Sequence, residues 1–243
     1  MPLGRFAVVE KVILVARVAA ADDAWCARLR GPVAEELLDL GLPGLVVNVK
    51  DSAVRDSLMT LTTLDPPVTA VVSLWTDQHY GPQVDAALQR LARESDAIAG
   101  YLVTESVPLR APEVELGART PGLANVALLR RPPELDESTW RTRWHRDHTR
   151  VALETQATFG YTQNAVVRAL SPDAPAVDAI VEELFPDAAV TDIKAFFGAA
   201  DDRDLADRIE RMVASTSAFG ANRDVDTVPT SRYVLRSPWR AAG

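Results

Sequence analysis

Residues 140–164 read WRTRWHRDHTRVALETQATFGYTQN, a helical pattern that gives way to a strand. Trp140, Trp144 and His148 stand at i, i+4 and i+8, so a regular helix carries all three on one face. Val151, Ala152 and Thr155 continue that stripe, which predicts that it packs inward. The strand expected next is Phe159 to Arg168. The same sequence of elements occurs earlier. One offset of 115 residues places Trp25 on Trp140, Arg28 on Arg143, Leu38 on Leu153 and Asn48 on Gln163 without a gap.

Working outward, strands are expected at Phe6 to Val18, Gly44 to Val49, Val68 to Trp75 and Ala97 to Thr104. Helices are expected at Ala21 to Leu40, capped by Asp22 or Asp23 and stopped by Gly41, and at Pro82 to Ala92. That order is βαββαβ. The second half repeats it: strand Leu123 to Leu129, helix Asp136 to about Gln156, strand Phe159 to Arg168, strand Val177 to Phe185, helices across 189–217, and strand Thr227 to Arg236. The expected fold class is therefore α+β: tandem ferredoxin-like βαββαβ repeats forming a pseudo-dimeric α+β barrel. Residues 1–105 make the first repeat, 106–121 a Pro- and Gly-containing linker, and 122–243 the second repeat, which carries the site. A doubly wound sheet would need strict strand–helix alternation and a Gly-rich first turn, and neither is present.

The repeats differ in their polar residues. At the 115 offset Val33 stands where His148 is, Val46 where Tyr161 is and Leu29 where Trp144 is. An imidazole on an apolar stripe is either a core group satisfied by a hydrogen bond or a titratable group in a dry pocket. The apolar first repeat favours the second reading and one chemical site per chain, in the C-terminal half. His148 is then the expected proton acceptor, with Tyr161 or Asn164 donating a hydrogen bond to a developing enolate oxygen. Trp140, Trp144 and Phe185 are the expected apolar walls for a small hydrophobic or aromatic substrate. Glu182 and Glu183 are adjacent, so they face opposite sides of their strand, and Glu183 joins the candidate binding residues.

Trp144 and His148 on the helix, Tyr161-Thr162-Gln163-Asn164 on the strand, and Glu182-Glu183-Leu184-Phe185 on the next strand resemble the pattern of EthD-domain proteins. Those belong to the dimeric α+β barrel superfamily, and the resemblance covers roughly residues 120–236. It implies a relation to polyketide cyclases, cofactor-free anthrone oxygenases, decarboxylases, lactone isomerases and haem-dependent enzymes. It also implies a His and a Tyr in a pocket between sheet and helices, for which His148 and Tyr161 are the matching residue types. The expected function is a cofactor-independent acid/base enzyme of lyase, cyclase, decarboxylase or isomerase type acting on a carbonyl, phenolic or polyketide-like substrate. The alternatives are a non-catalytic hydrophobic-ligand-binding protein, or a haem- or metal-dependent oxidoreductase.

Composition sets the outer limits. Net charge is −8, which disfavours a phosphate-tracking face, so no nucleic-acid partner is expected. Cys26 is the single cysteine, so neither an internal disulfide nor a Cys-based zinc site is available. No signal peptide or membrane span is read, and the expected location is cytoplasmic. His145 and His148 lie three apart on the helix, but no second fixed motif completes a metal site, so no metal and no cofactor is called for. The chain is expected to act as a monomeric pseudo-dimer or as a homodimer. Cys26, His79 and the Asp201 to Glu210 charge run carry no recognisable chemistry.

Overall fold

The structure is a computed structural model that describes residues 9–239. Its strands are β1 (Glu10–Arg17), β2 (Gly44–Val49), β3 (Val68–Thr76), β4 (Ala97–Leu109), β5 (Leu123–Leu129), β6 (Gly160–Ala169), β7 (Ala179–Phe185) and β8 (Asp226–Arg236). The eight close into one antiparallel barrel in the order β1-β3-β2-β8-β5-β7-β6-β4. Each half of the chain contributes four neighbouring strands, and the halves join at two seams, β2–β8 and β4–β6. The mixed α+β fold follows the expected element order. The first part of the strand expected from Phe6, residues 6–8, lies outside the described residues. Strand β4 runs to Leu109, so the first residues of the expected linker belong to the β4–β6 seam.

The first helix of each half is broken at the same place. In the N-terminal half α1 (Asp23–Arg28) passes through a π-helical turn, Leu29–Val33, into α2 (Ala34–Asp39). After α3 (Pro82–Ala92), the C-terminal half has α4 (Glu137–Thr142), a π-helical turn Arg143–His148, and α5 (Thr149–Thr155). The two turns stand at the 115 offset, Leu29 opposite Trp144 and Val33 opposite His148. Two helices complete the second half, α6 (Ile193–Phe197) and α7 (Asp202–Phe219). None of the described helices is long and apolar enough to cross a membrane.

The pleat sends alternate residues to two environments. Inward-facing Ile13, Val15, Val71, Tyr101, Val126, Leu128, Ile180 and Val228 fill one end of the barrel. Outward-facing residues meet the helices: Leu14, Leu45, Val47 and Val72 pack on Trp25, Leu29, Val33 and Leu37. In the second half Ala165, Ala179, Val181 and Tyr161 pack on Trp140, Trp144, Ala152 and Phe219. Gly122 opens β5 at φ 98°, where a Cβ would lie 2.0 Å from the Phe185 carbonyl oxygen, so only glycine admits this approach.

The seams correct one detail of the internal comparison. Asn48 faces Arg232 across β2–β8, and Asn164 faces Glu105 across β6–β4. Leu45 faces Arg236 and Tyr161 faces Leu109 in the same two places. In the strands, therefore, Asn48 corresponds to Asn164 and Leu45 to Tyr161, one residue further than the 115 offset that fits the helices. Val46 is not the counterpart of Tyr161, because it faces the barrel interior while Tyr161 faces the helices. The contrast survives, since the true counterpart is also apolar.

Candidate functional site

The π turn decides where the histidines go. A π turn bonds i to i+5, as in the Thr149 N–H donating to the Trp144 carbonyl, so it adds one residue to that turn. The helix face begun by Trp140 and Trp144 therefore continues at Thr149 rather than at His148. Thr149 Oγ1 accepts from Gln163 Nε2 at 2.8 Å, against the sheet. His148 is rotated toward α7, where its Nδ1 lies 3.0 Å from Ser215 Oγ and its ring packs on Phe219 at 4.9 Å. Burial lowers its pKa to about 4, so it is neutral at physiological pH. His148 is a satisfied group between helices and does not meet Tyr161 or Asn164. Replacing Ser215 by Ala is expected to cost about 1 kcal/mol in urea unfolding, the net worth of one such hydrogen bond.

His145, which the sequence offered only as half of an incomplete metal pair, takes part in the polar network instead. Its ring lies 4.1 Å from that of Trp144, and its Nδ1 donates to Gln163 Oε1 at 3.0 Å. Gln163 Nε2 also donates to the Tyr161 hydroxyl at 3.1 Å. The Tyr161 oxygen is thus an acceptor for Gln163, which leaves its own O–H free to donate elsewhere. Burial pushes the Tyr161 pKa up, reinforced by the Glu183 charge and opposed by the hydrogen bond from Gln163.

Glu183 faces Tyr161 across β6–β7 and Asn125 across β5–β7. Its Oε1 is buried and has no hydrogen-bond partner among the described residues, as is true of Asn125 Oδ1. Burial raises the Glu183 pKa to about 7. The residue as a whole is half-buried. A carboxyl group with a free oxygen and near-neutral titration, beside a phenol with a free proton, is equipped to accept and guide protons.

Of the other expected wall residues, Phe185 and Trp144 pack rather than line a cleft. Phe185 is fully buried and stacks on Phe196 at 4.1 Å, beneath α6. Trp144 is fully buried and stands 5.2 Å from Trp140. Trp140 packs edge-on against Phe219 and also borders a polar recess with Arg131, Glu137, Arg141 and Asp178.

Asn164 belongs to the opposite face of the sheet. Tyr161 and Asn164 are three residues apart on one strand, so the pleat separates them. Asn164 lines a cavity of about 240 Å³ inside the barrel, with Asn48, Ser73, Trp75, Glu105 and Glu182 among the lining residues. Glu182 accepts from Arg232 Nε at 2.9 Å and from Asn48 Nδ2. Lys11 pairs with Glu105 and lies 4.8 Å from the centre of the Trp75 ring. Alternation in β6 and β7 assigns Thr162, Asn164 and Glu182 to the same face, a signal present in the sequence but hidden where the strands are aligned at the helix offset.

Residues that would hold an iron porphyrin are not arranged for it. His148 is the axial candidate, but its Nδ1 is committed to Ser215 and its ring is packed between helices. Trp140 and Trp144 fill the space between sheet and helix beside it. Among the described residues no group of three or more His, Cys, Asp or Glu is placed to hold a metal ion.

The EthD domain family model matches residues 132–213, from just before α4 into α7. No curated protein matches the chain. An anthrone oxidase-like protein has a similar structure, with a TM-score of 0.52 at 9% identity over 96% of this chain and 97% of the other. Chlorite dismutase from Candidatus Nitrospira defluvii, in complex with imidazole, gives 0.48 at 14% identity over 93% and 92%. Residues 132–213 thus resemble an EthD domain, and the fold is similar to that of the anthrone oxidase-like protein.

Proposed function

We propose that the chain is an EthD-type enzyme performing acid/base chemistry on a small hydrophobic carbonyl, phenolic or polyketide-like substrate. In this reading Glu183, not His148, accepts the proton. The observation that carries it is the buried Glu183 oxygen without a partner, facing Tyr161 across two paired strands under the EthD-matched helices. The Glu183 carboxylate takes a proton from a carbon next to a carbonyl. The C–H electron pair forms the new C=C bond, the carbonyl π pair moves to oxygen, and the Tyr161 O–H donates a hydrogen bond to the enolate oxygen that forms. Gln163, held by His145 and Thr149, fixes the Tyr161 hydroxyl so that its proton points away from Gln163. Trp140 and Trp144 supply apolar surroundings that keep the carboxyl's pKa high.

Part of this reading is that the halves are tandem copies of one ferredoxin-like unit. The matched π turns and the matched seam positions of Asn48 and Asn164 support it. The first copy, with Leu45 and Val47 where Tyr161 and Gln163 stand, supplies the other half of a barrel that closes within one chain.

The test uses anthrone, whose methylene protons are acidified by the ring carbonyl. Proton NMR in D₂O follows exchange at that carbon. The wild-type protein is expected to accelerate exchange above buffer, Tyr161→Phe to slow it, and His148→Gln to leave it unchanged. No acceleration by the wild-type protein, or dependence on His148 instead of Glu183, would overturn the proposal.

A further inference from the structure

We infer that Asn125 is the positioning residue of Glu183: its carboxamide holds the Glu183 carboxyl in both protonation states, accepting from the acid and donating to the carboxylate. This role rests on the reading of Glu183 as proton acceptor and adds the group that orients it. Asn125 is 6% exposed and stands directly opposite Glu183 in the β5–β7 ladder. Directly opposed residues of an antiparallel pair carry their Cβ atoms about 4.5–5.5 Å apart, on one face of the sheet. A buried asparagine is costly unless its polar atoms are served.

Among the residues that share its face of the sheet, Glu183 is the one placed to serve it. Along β5 the same-face neighbours of Asn125 are Leu123 and Ala127, and on β8 it faces Pro229. The hydroxyls flanking Pro229 are committed, Thr227 to the Met59 carbonyl and Ser231 to Asp51. Glu183 has Val181 and Phe185 along β7, and Tyr161 on its other side. From the helices, α7 packs Met212 and Phe219 against this half of the sheet and α6 packs Phe196, none of them charged. His145 reaches the sheet from the π turn, but its Nδ1 is committed to Gln163.

The unpartnered atoms match. Glu183 Oε1 and Asn125 Oδ1 are both buried and both lack a partner among the described residues. Both are acceptors closed off from solvent, so a single proton between them satisfies the pair. In the acid form that proton is the carboxyl O–H, donated to Asn125 Oδ1. When Glu183 ionises, a half-turn about the Asn125 Cβ–Cγ bond presents Nδ2–H to the carboxylate instead. No hydrogen bond among the described residues restrains that nitrogen. Asn164 is the contrast, since its Nδ2 is fixed on the Ile180 carbonyl at 2.9 Å. An amide performs both roles without changing its own charge. Only Oε1 of the half-buried Glu183 is sealed in this way, which leaves the second carboxyl oxygen for the substrate's proton. Anchoring one oxygen fixes the direction in which the other points.

Side-chain NMR of the full chain tests this. The Asn125 carboxamide resonances, assigned through its own backbone, are expected to move with pH in step with the Glu183 carboxyl carbon, at a midpoint of about 7. They should stop moving in Glu183→Gln, and the Asn164 carboxamide should not titrate in either protein. In Asn125→Leu the Glu183 pKa is expected to rise to about 8, because a carboxylate loses more than a neutral acid when the bond is removed. The pH midpoint of anthrone exchange should rise with it. An apolar leucine also raises the pKa by desolvation, so the carboxamide titration is the deciding measurement; it needs only the wild-type protein and Glu183→Gln if Asn125→Leu does not fold. A carboxamide that ignores the ionisation of Glu183 overturns the inference, whatever the anthrone result. A carboxamide that follows it, in a protein that does not accelerate exchange, upholds the pairing and removes only the catalytic reading of Glu183.

Discussion

Glu183→Gln is expected to remove proton acceptance and, at the same time, to stabilise the protein above neutral pH. Burial holds the Glu183 pKa near 7, against an ordinary value of 4.5 that the unfolded chain recovers. Between those values the unfolded state has released a proton that the folded state retains. Stability therefore falls as pH rises from about 4.5, and the loss is complete once the folded carboxyl ionises above about 7. The size of that loss is roughly 3 kcal/mol. Glutamine keeps the shape without the charge, so its stability should exceed wild type by roughly 3 kcal/mol in urea unfolding at pH 8.5 and match it at pH 4. Anthrone exchange should fall by about 10²–10⁴-fold in the same variant, the usual worth of a positioned general base. Equal stability of the two proteins at pH 8.5 would show that Glu183 is not held in a costly environment. A stabilised variant without loss of exchange would show that the strain serves no proton transfer. The expected combination is a carboxylate kept at a cost to stability because its chemistry needs it there.

The element order was legible because strands and helices here obey simple periods. Gly44–Val49, Pro82–Ala92 and Leu123–Leu129 are bounded by glycine, proline or loop residues and appear where those signals put them. The site was less legible for two local reasons. A helix read at 3.6 residues per turn cannot reveal that Arg143–His148 is a π turn, and that one extra residue exchanges the surroundings of His148 and Thr149. The offset that aligns the helices is one residue short for the strands, and in a pleated strand one residue means the opposite face. Tyr161 and Asn164 could have been separated from sequence alone, because an odd spacing on a strand always divides them. Glu183 could be named but not ranked, since its importance comes from what surrounds it: an unpartnered oxygen, a phenol across the ladder, and burial. None of these is a property of the residue in sequence.

His148 provides the complementary prediction, with the opposite sign. Its folded pKa is about 4 against an ordinary 6.5, because burial disfavours the imidazolium. As pH falls through 6.5 the unfolded chain takes up a proton that the folded chain refuses until about 4, so stability is lost across that window, by roughly 3 kcal/mol in all. Glu183 acts in the reverse direction from about 4.5 to 7, each group contributing a slope of about 1.4 kcal/mol per pH unit. In the wild-type protein the two slopes oppose one another between about pH 4.5 and 6.5, and their combined effect there is close to zero. Single variants should separate them. His148→Leu should become more stable as pH falls from 7 to 4.5, because only the Glu183 effect remains. Glu183→Gln should lose stability from 6.5 to 4, because only the His148 effect remains. The double variant should return to a flat profile, with contributions from other carboxylates common to all four proteins and cancelling in the differences. Urea unfolding at four or five pH values measures this cycle. If His148→Leu has the same pH profile as the wild-type protein, the imidazole is not held neutral by burial, and its exclusion from the proton-transfer machinery loses its physical basis.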